Sequence, residues 1–253
     1  MKRILFIIPH PDDEVVGCCS IIGRLKKEGK QIYLFFLTNG VVSKKLSWLW
    51  DKKNQKNKID TRKNEMKVVL KLLEIQDYFF QNIPTRTLKE YITDTFNKIK
   101  NIVDTKDIDT IFCPAYEGGH QDHDVSNFIC SKFFNKCKIF EFAEYNFFQN
   151  KINCNSFFNN KRGQNILLLS KEERLFKKNC LEIYKSERQN INYIKVDKES
   201  FRPLCNHDYS KPPHEGILFY RRYSFFSWHP RVDKDKPEDI CDKIIKSEIY
   251  KNK

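Results

Sequence analysis

Hydrophobic and polar positions follow two rhythms along the first two-thirds of the chain. Residues 3–9 form a short apolar run closed by Pro9, and residues 31–37 form a second, rich in aromatic and branched side chains and closed by Thr38-Asn39-Gly40. Runs this short, bounded by turn residues, predict buried strands rather than helices. Between them, residues 14–28 carry apolar positions at helical spacing and stop at Gly29, a residue suited to the left-handed end of a helix. The alternation continues with helical spacing over 61–74, 88–103 and 125–134, and with strand-like runs over 110–113 and 138–142. Strands regularly separated by helices predict an α/β fold, a Rossmann-like, doubly wound, mostly parallel sheet with helices on both faces.

Two stretches break the rhythm. Residues 41–58 are polar and lysine-rich but contain Trp48-Leu49-Trp50, so the segment reads either as a lid or interfacial loop or as a solvated insertion with an aromatic anchor. After a further helix over 171–185, the tail from residue 201 mixes short aromatic stretches, read as strands, with Pro212-Pro213, Pro230 and Pro237. No repeat and no linker interrupts the chain. A single domain over 1–253 is expected, with a core over 1–145 and a C-terminal elaboration over 146–253.

Composition narrows the function classes. Hydrophobic residues make up 40% and aromatic residues 14% of 253 positions, enough for a substantial core. No apolar stretch reaches membrane-spanning length, and the apolar run after Met1-Lys2-Arg3 is too short for a signal peptide, so a cytoplasmic location is expected. Nine cysteines, odd in number and without a Cys-x-x-Cys pair, argue against a disulfide framework or a thiolate zinc site and for small buried side chains. The net charge of +13 suits a phosphate-rich partner, but the lysines are scattered. That dispersal argues against specific nucleic-acid recognition, leaves peripheral contact with an anionic membrane open, and says nothing about oligomeric state.

Candidate chemistry concentrates in two clusters, each placed just after a predicted strand. Pro9-His10-Pro11-Asp12-Asp13-Glu14 follows the first strand, and His120-Gln121-Asp122-His123-Asp124 follows the 110–113 strand. Ligands of open parallel sheets bind beyond the carboxyl ends of strands, so the clusters can converge. Capping of the following helix explains one acidic residue of the Asp12-Asp13 pair but not the histidine before it. Two imidazoles and one carboxylate with an open position suit catalytic zinc, and ferrous iron as well, while a spare carboxylate can take a proton from water.

The two clusters, together with Thr38-Asn39-Gly40, Arg62-x-x-Glu65, Pro114-Ala115-Tyr116-Glu117-Gly118-Gly119 and weaker echoes at Glu141-Phe142, Tyr184-Lys185-Ser186 and Asp208-Tyr209-Ser210-Lys211-Pro212-Pro213-His214, resemble the PIG-L/LmbE-like family of zinc-dependent de-N-acetylases. The resemblance implies His10, Asp13 and His123 as metal ligands and Asp12 as the general base that activates the attacking water. It implies His120 as the group that stabilises the oxyanion or protonates the leaving amine. Arg62 corresponds to a substrate-facing arginine, with a surface pair to Glu65 as the plainer alternative. His214 is a candidate for the pocket rim. Asp122 and Asp124 read as partners of the ligand histidines or as helix caps. One departure stands out: the tyrosine-serine-glutamine segment of relatives is Tyr184-Lys185-Ser186-Glu187 here, with a carboxylate in place of an amide.

The function implied is hydrolysis of an N-acetyl group on an amino sugar, such as an N-acetylglucosamine unit in a glycoconjugate or nucleotide-sugar pathway. Amidase action on another N-acylated small molecule is the nearest alternative. A basic protein that binds nucleic acid or an anionic surface and keeps a vestigial metal site is the alternative from a different class.

Overall fold

The structure, a computed structural model, describes residues 1–47, 53–159, 163–226, 228–229 and 232–251. The expected aromatic anchor Trp48-Leu49-Trp50 lies outside the described residues. Seven strands form the main sheet: β1 (Arg3–Ile8), β2 (Gln31–Phe36), β3 (Tyr78–Phe80), β4 (Thr110–Pro114), β5 (Lys138–Phe142), β8 (Asn165–Leu168) and β9 (Lys198–Pro203), with β6 (Tyr145–Asn146) and β7 (Asn153–Cys154) pairing separately. Their order is β3-β2-β1-β4-β5-β9-β8. The first five are parallel, with β1 and β2 in register from Arg3–Gln31 to Ile8–Phe36, and β9 and β8 close the far edge antiparallel.

The chain winds outward from β1 through β2 to β3, then crosses back to place β4 on the other side of β1. Strand order therefore reverses between β1 and β4, and loops leaving these neighbours at their carboxyl ends diverge to opposite faces and open a crevice. Those two loops carry His10 and His120.

Alternation along the strands builds two cores. Leu5 and Ile7 of β1 and Phe35 of β2 face Ile99, Ile102 and Val103 of α4 (Ile92–Thr105) and Val125, Phe128 and Ile129 of α5 (Gln121–Ser131). Ile4, Phe6 and Ile8 face the opposite way, onto Ile21 and Ile22 of α2 (Cys19–Lys27) and Met66, Val69 and Leu70 of α3 (Gln55–Leu72). Strands buried on both faces read as continuous apolar runs, which is why β1 and β2 were visible in the sequence. Eight of the nine cysteines are buried, most of them within these cores.

Three expectations need correction. The single helix over 14–28 is two helices, α1 (Asp13–Val16) and α2, because Gly17 lies against β5: a Cβ there would sit 2.5 Å from the Phe142 ring and 2.8 Å from Glu144 Cγ. The 41–58 segment is not all loop, since a short turn of helix covers Lys44–Leu46 and α3 starts at Gln55. Beyond Pro203 the tail forms no strand among the described residues. It makes tight helical turns at Phe219–Arg221 and Ser224–Phe226, then α7 (Pro237–Lys246) and α8 (Glu248–Lys251), with Pro237 in the first turn of α7, where its missing N–H costs nothing.

The antiparallel edge was not foreseen. It is held by two fully buried ion pairs. Arg202 of β9 donates to Glu141 of β5 at 2.6 Å, and Lys177 of α6 (Lys171–Ile183) to Glu199 of β9 at 2.9 Å. Glu199 also accepts from Ser20 N and Ile21 N at the start of α2, so the edge strand clamps the helix that follows the first motif.

Candidate active site

The loop leaving β1 is fixed by its own polar groups. Thr38, just past β2, donates from N and Oγ1 to Pro9 O at 3.0 and 2.9 Å, and His10 N donates to Asp13 Oδ2 at 2.8 Å. Asp12 pivots the chain into α1 with φ of 131°, a conformation strained for any residue with a Cβ. The result turns Asp13 back toward His10 and leaves the Asp12 carboxylate on a different bearing.

α5 begins at Gln121, earlier than its apolar spacing suggested, so His123 stands in its first turn and His120 is its N-cap. His123 Nε2 lies 3.2 Å from Asp13 Oδ2 and 3.3 Å from His10 Nδ1, and His10 Nδ1 lies 3.0 Å from Asp13 Oδ2. Three donor atoms at these separations match the edge, about 3.3 Å, of a tetrahedron of ligands about 2.0–2.1 Å from zinc. The donor set fits a divalent cation.

The groups behind the triad favour the same reading. His10 Nε2 donates to Asp122 Oδ2 at 3.0 Å, which leaves Nδ1 to face the triad. Asp122 is itself held by Thr85 Oγ1, Arg86 N and Leu88 N. Such a carboxylate fixes the ring and raises the basicity of the ligand nitrogen. Burial lowers the pKa of His10, but Asp13 and Asp122 on either side outweigh it and hold it at about 10. In Asp13 burial pushes up, yet His123 and His10 hold the carboxyl well below the usual range. Carboxylates on both sides of His10 thus favour positive charge at this buried place.

Asp12 and His120 flank the triad and are tuned in opposite directions. Burial raises the Asp12 carboxyl to about 8 against the pull of Arg62, whose Nη1 is 3.8 Å away. His120 accepts at Nδ1 from Asp122 N at 3.1 Å, so its neutral ring carries the proton on Nε2. Burial, reinforced by His10, keeps its pKa well below that of free histidine. A neutral imidazole with a free N–H is a hydrogen-bond donor rather than an acid.

Arg62 is 3% exposed and its groups are engaged. It donates to Pro11 O at 3.0 Å and Ser186 Oγ at 2.9 Å and pairs with Glu187, while Glu65 binds Ser186 instead of the arginine. The carboxylate that replaces an amide at residue 187 thus neutralises Arg62. From the same segment, the Tyr184 hydroxyl donates to Glu14, whose other oxygen accepts from Asp12 N at 2.9 Å. His214 stands apart from this network, between the rings of Phe148 and Phe158, with Nδ1 at 2.8 Å from Glu215 O.

Sequence reasoning missed the wall formed after β5. Glu144 is fully buried, with Oε2 3.7 Å from His123 Nδ1 and no hydrogen-bond partner at either oxygen among the described residues. Tyr145 beside it packs on His123 at 5.6 Å between ring centres. Both follow the carboxyl end of the strand next to β4, and that placement was the available signal.

Residues 5–134, about half of the chain, match the family model described as GlcNAc-PI de-N-acetylase, PIG-L. The chain belongs to the PIG-L family. The matched span includes both motifs and ends before Glu144. No curated protein matches the sequence. Among solved structures, a triple mutant of the deacetylase Orf2 of teicoplanin biosynthesis superimposes with a TM-score of 0.64 at 15% identity, covering 82% of this chain and 99% of that one. The N,N'-diacetylchitobiose deacetylase of Pyrococcus horikoshii gives 0.54 at 18% identity over 79% and 83%. The 4-carboxy-2-hydroxymuconate hydratase GalB of Pseudomonas putida KT2440 gives 0.53 at 12% over 86% and 100%. These likenesses establish the shared fold of this PIG-L chain. A hydratase among them shows that the fold alone does not name the reaction.

Proposed function

We propose that this PIG-L protein is a metal-dependent hydrolase that removes the acetyl group from an N-acetylated amino sugar. The observation that carries the reading is the triad of His10, Asp13 and His123 with Asp12 held apart from it in a protonatable state. A divalent ion bound by the triad supplies Lewis acidity, polarising the acetamide carbonyl and acidifying water beside it. Zinc suits the donor set, and the teicoplanin deacetylase Orf2 is known in a zinc-inhibited form. Ferrous iron suits the donors as well.

The protein's own groups perform the proton chemistry. Asp12, ionised, takes a proton from the attacking water as the C–O bond forms. His120 donates a hydrogen bond from Nε2–H to the oxygen that becomes negative and keeps its proton. Asp12 then returns its proton to the departing nitrogen as the C–N bond breaks, and the amine takes up the remaining water proton from the new carboxyl group, giving acetate and an ammonium product. A base with a pKa near the working pH can serve in both directions, and a bound cation would pull Asp12 down from about 8 toward neutrality. Arg62 supports Asp12 from behind, and substrate reaches its guanidinium only by displacing Glu187. His214 is a rim position for the parts of the substrate beyond the sugar.

No helix of the described residues is long and apolar enough to cross a membrane. We place the reaction in the cytoplasm. A panel of N-acetylated sugars, free, nucleotide-linked and lipid-linked, followed by mass spectrometry tests the reading. It predicts loss of one acetyl group from at least one sugar, abolished by chelation and restored by added metal. No acetyl loss from any sugar with zinc or ferrous iron supplied would refute it.

A further inference from the structure

Three of the stretches that carry the family resemblance, residues 38–40, 62–65 and 184–186, lie outside the triad, yet the fold gathers them around one peptide unit. That unit joins Pro11 to Asp12. Its carbonyl accepts from Arg62 Nη1 at 3.0 Å, and its N–H donates to Glu14 Oε2 at 2.9 Å. Gly40 makes room for the arginine: a Cβ there would lie 2.8 Å from Arg62 Nη1 and 3.3 Å from Pro11 Cδ. The turn that ends α6 grips both holders. The Tyr184 hydroxyl donates to the other Glu14 oxygen, Ser186 Oγ accepts from Arg62 Nε at 2.9 Å, and Glu187 pairs with Arg62 Nη2. Glu65 fixes the turn in turn, accepting from Ser186 N at 3.0 Å.

The orientation of this peptide plane sets φ of Asp12, and 131° is a conformation that a residue with a Cβ holds only when its surroundings impose it. Helix α1 fixes the carbonyl side of Asp12, whose oxygen accepts from Val15 N and Val16 N at 2.9 Å. The other side is held by Glu14 and Arg62. Water offers little substitute for either, since Glu14 and Tyr184 are fully buried and Arg62 nearly so. Nε, Nη1 and Nη2 of Arg62 all bind groups of the chain, so the guanidinium is part of the scaffold rather than an open grip. If φ at Asp12 relaxed, its carboxylate would swing away from the triad, and a displacement of about 1 Å can cost about 10²-fold in rate.

We propose that Tyr184 and Glu187 are positioning residues that act through Glu14 and Arg62 to hold the Pro11–Asp12 peptide and keep the Asp12 carboxylate aimed at the reacting centre. The inference rests on the deacetylase reading and deepens it by naming what aims the base. It also gives the carboxylate at residue 187 a purpose. Where relatives have an amide, Glu187 turns Arg62 from a substrate contact into a brace.

The test uses the full-length, metal-loaded protein, its variants Tyr184→Phe, Glu187→Ala, Glu14→Ala and Glu14→Gln, and the N-acetylated sugar that the wild type turns over fastest. Tyr184→Phe and Glu187→Ala should each lower kcat by about 10- to 100-fold with KM and metal content unchanged. Glu14→Gln should keep more of the rate than Glu14→Ala, because its amide can accept from Asp12 N and donate to the Tyr184 hydroxyl. Hydrogen exchange adds a readout that needs no turnover. The Asp12 amide should exchange about tenfold or more faster in Tyr184→Phe and Glu187→Ala than in the wild type, while the amides of β1 keep their rates. A loss of stability alone would speed Asp12 and β1 alike, and that result would overturn the brace. Glu187 is partly exposed, so its variant decides the matter where Tyr184→Phe does not fold. Wild-type kcat in Glu187→Ala with a lower KM would make Arg62 a grip for substrate, which also overturns the brace. Acetate release at the wild-type rate in both variants would refute the brace alone. No acetate release by the wild type, with Asp12 exchange still governed by Tyr184 and Glu187, would refute the deacetylase reading alone.

Discussion

Asp12 and Asp13 are chemically identical neighbours that the backbone sends to opposite fates. The strained turn at Asp12 points one carboxylate at two imidazoles, which keep it ionised, and buries the other where its proton is held to about 8. In the sequence the pair stood out because two adjacent acids exceed the needs of one helix cap, while which of them meets the imidazoles followed only from the family resemblance. Glu144 was not legible. It is a single acidic residue that meets His123 only because β5 lies beside β4. Its buried, unpartnered carboxyl faces the His123 nitrogen turned away from the triad, so Glu144→Ala should weaken metal binding by about 10- to 100-fold. Competition against a chromophoric chelator measures this. Affinity equal to wild type would show that Glu144 does not orient His123.

Among the elements, the helix after the first motif shows where periodicity stops being a guide. Residues 14–28 keep helical spacing throughout, but a tertiary contact breaks the helix. Only a residue without a Cβ lets the chain approach Phe142 and Glu144 at position 17. Gly17→Ala should destabilise the fold by about 1–3 kcal/mol through overpacking, read as a lower midpoint of denaturant unfolding. An unchanged midpoint would mean that Phe142 yields freely. The antiparallel edge was hidden for a related reason. β8 is short and half exposed, and its partner β9 spends its charged positions on the buried bonds of Arg202 and Glu199, a pattern that reads in sequence as loop.

Across the whole molecule, buried carboxyls set the pH response. Burial raises Glu117 to about 7, only partly opposed by Glu144 N and Asn146 Nδ2, while Glu141 is held below the ordinary range by His207 and Arg202 despite its burial. A raised carboxyl stabilises the fold fully below its unfolded value, and that stabilisation is lost as pH rises through about 7. A depressed one stabilises above its unfolded value and is lost as pH falls through its folded value. These two carboxyls should therefore make the metal-free protein lose stability as pH rises toward about 7 and again as pH falls through the folded value of Glu141. Glu117→Gln should flatten the decline between pH 5 and 7 in denaturant titrations, and an unaltered slope would contradict the assignment. The strand alternation made the fold class readable from sequence. The reversal of strand order between β1 and β4, which brings the motifs together, depends on long-range pairing that periodicity does not encode.

The division of labour between the triad and Asp12 is the centre of this account, and acetate release by Asp12→Asn at a metal content equal to wild type tests it most directly. The isosteric amide leaves His10, Asp13 and His123 in place but can take no proton, so the rate should fall by about 10²- to 10⁴-fold with bound metal unaltered. A variant that releases acetate at the wild-type rate while fully loaded with metal would contradict it.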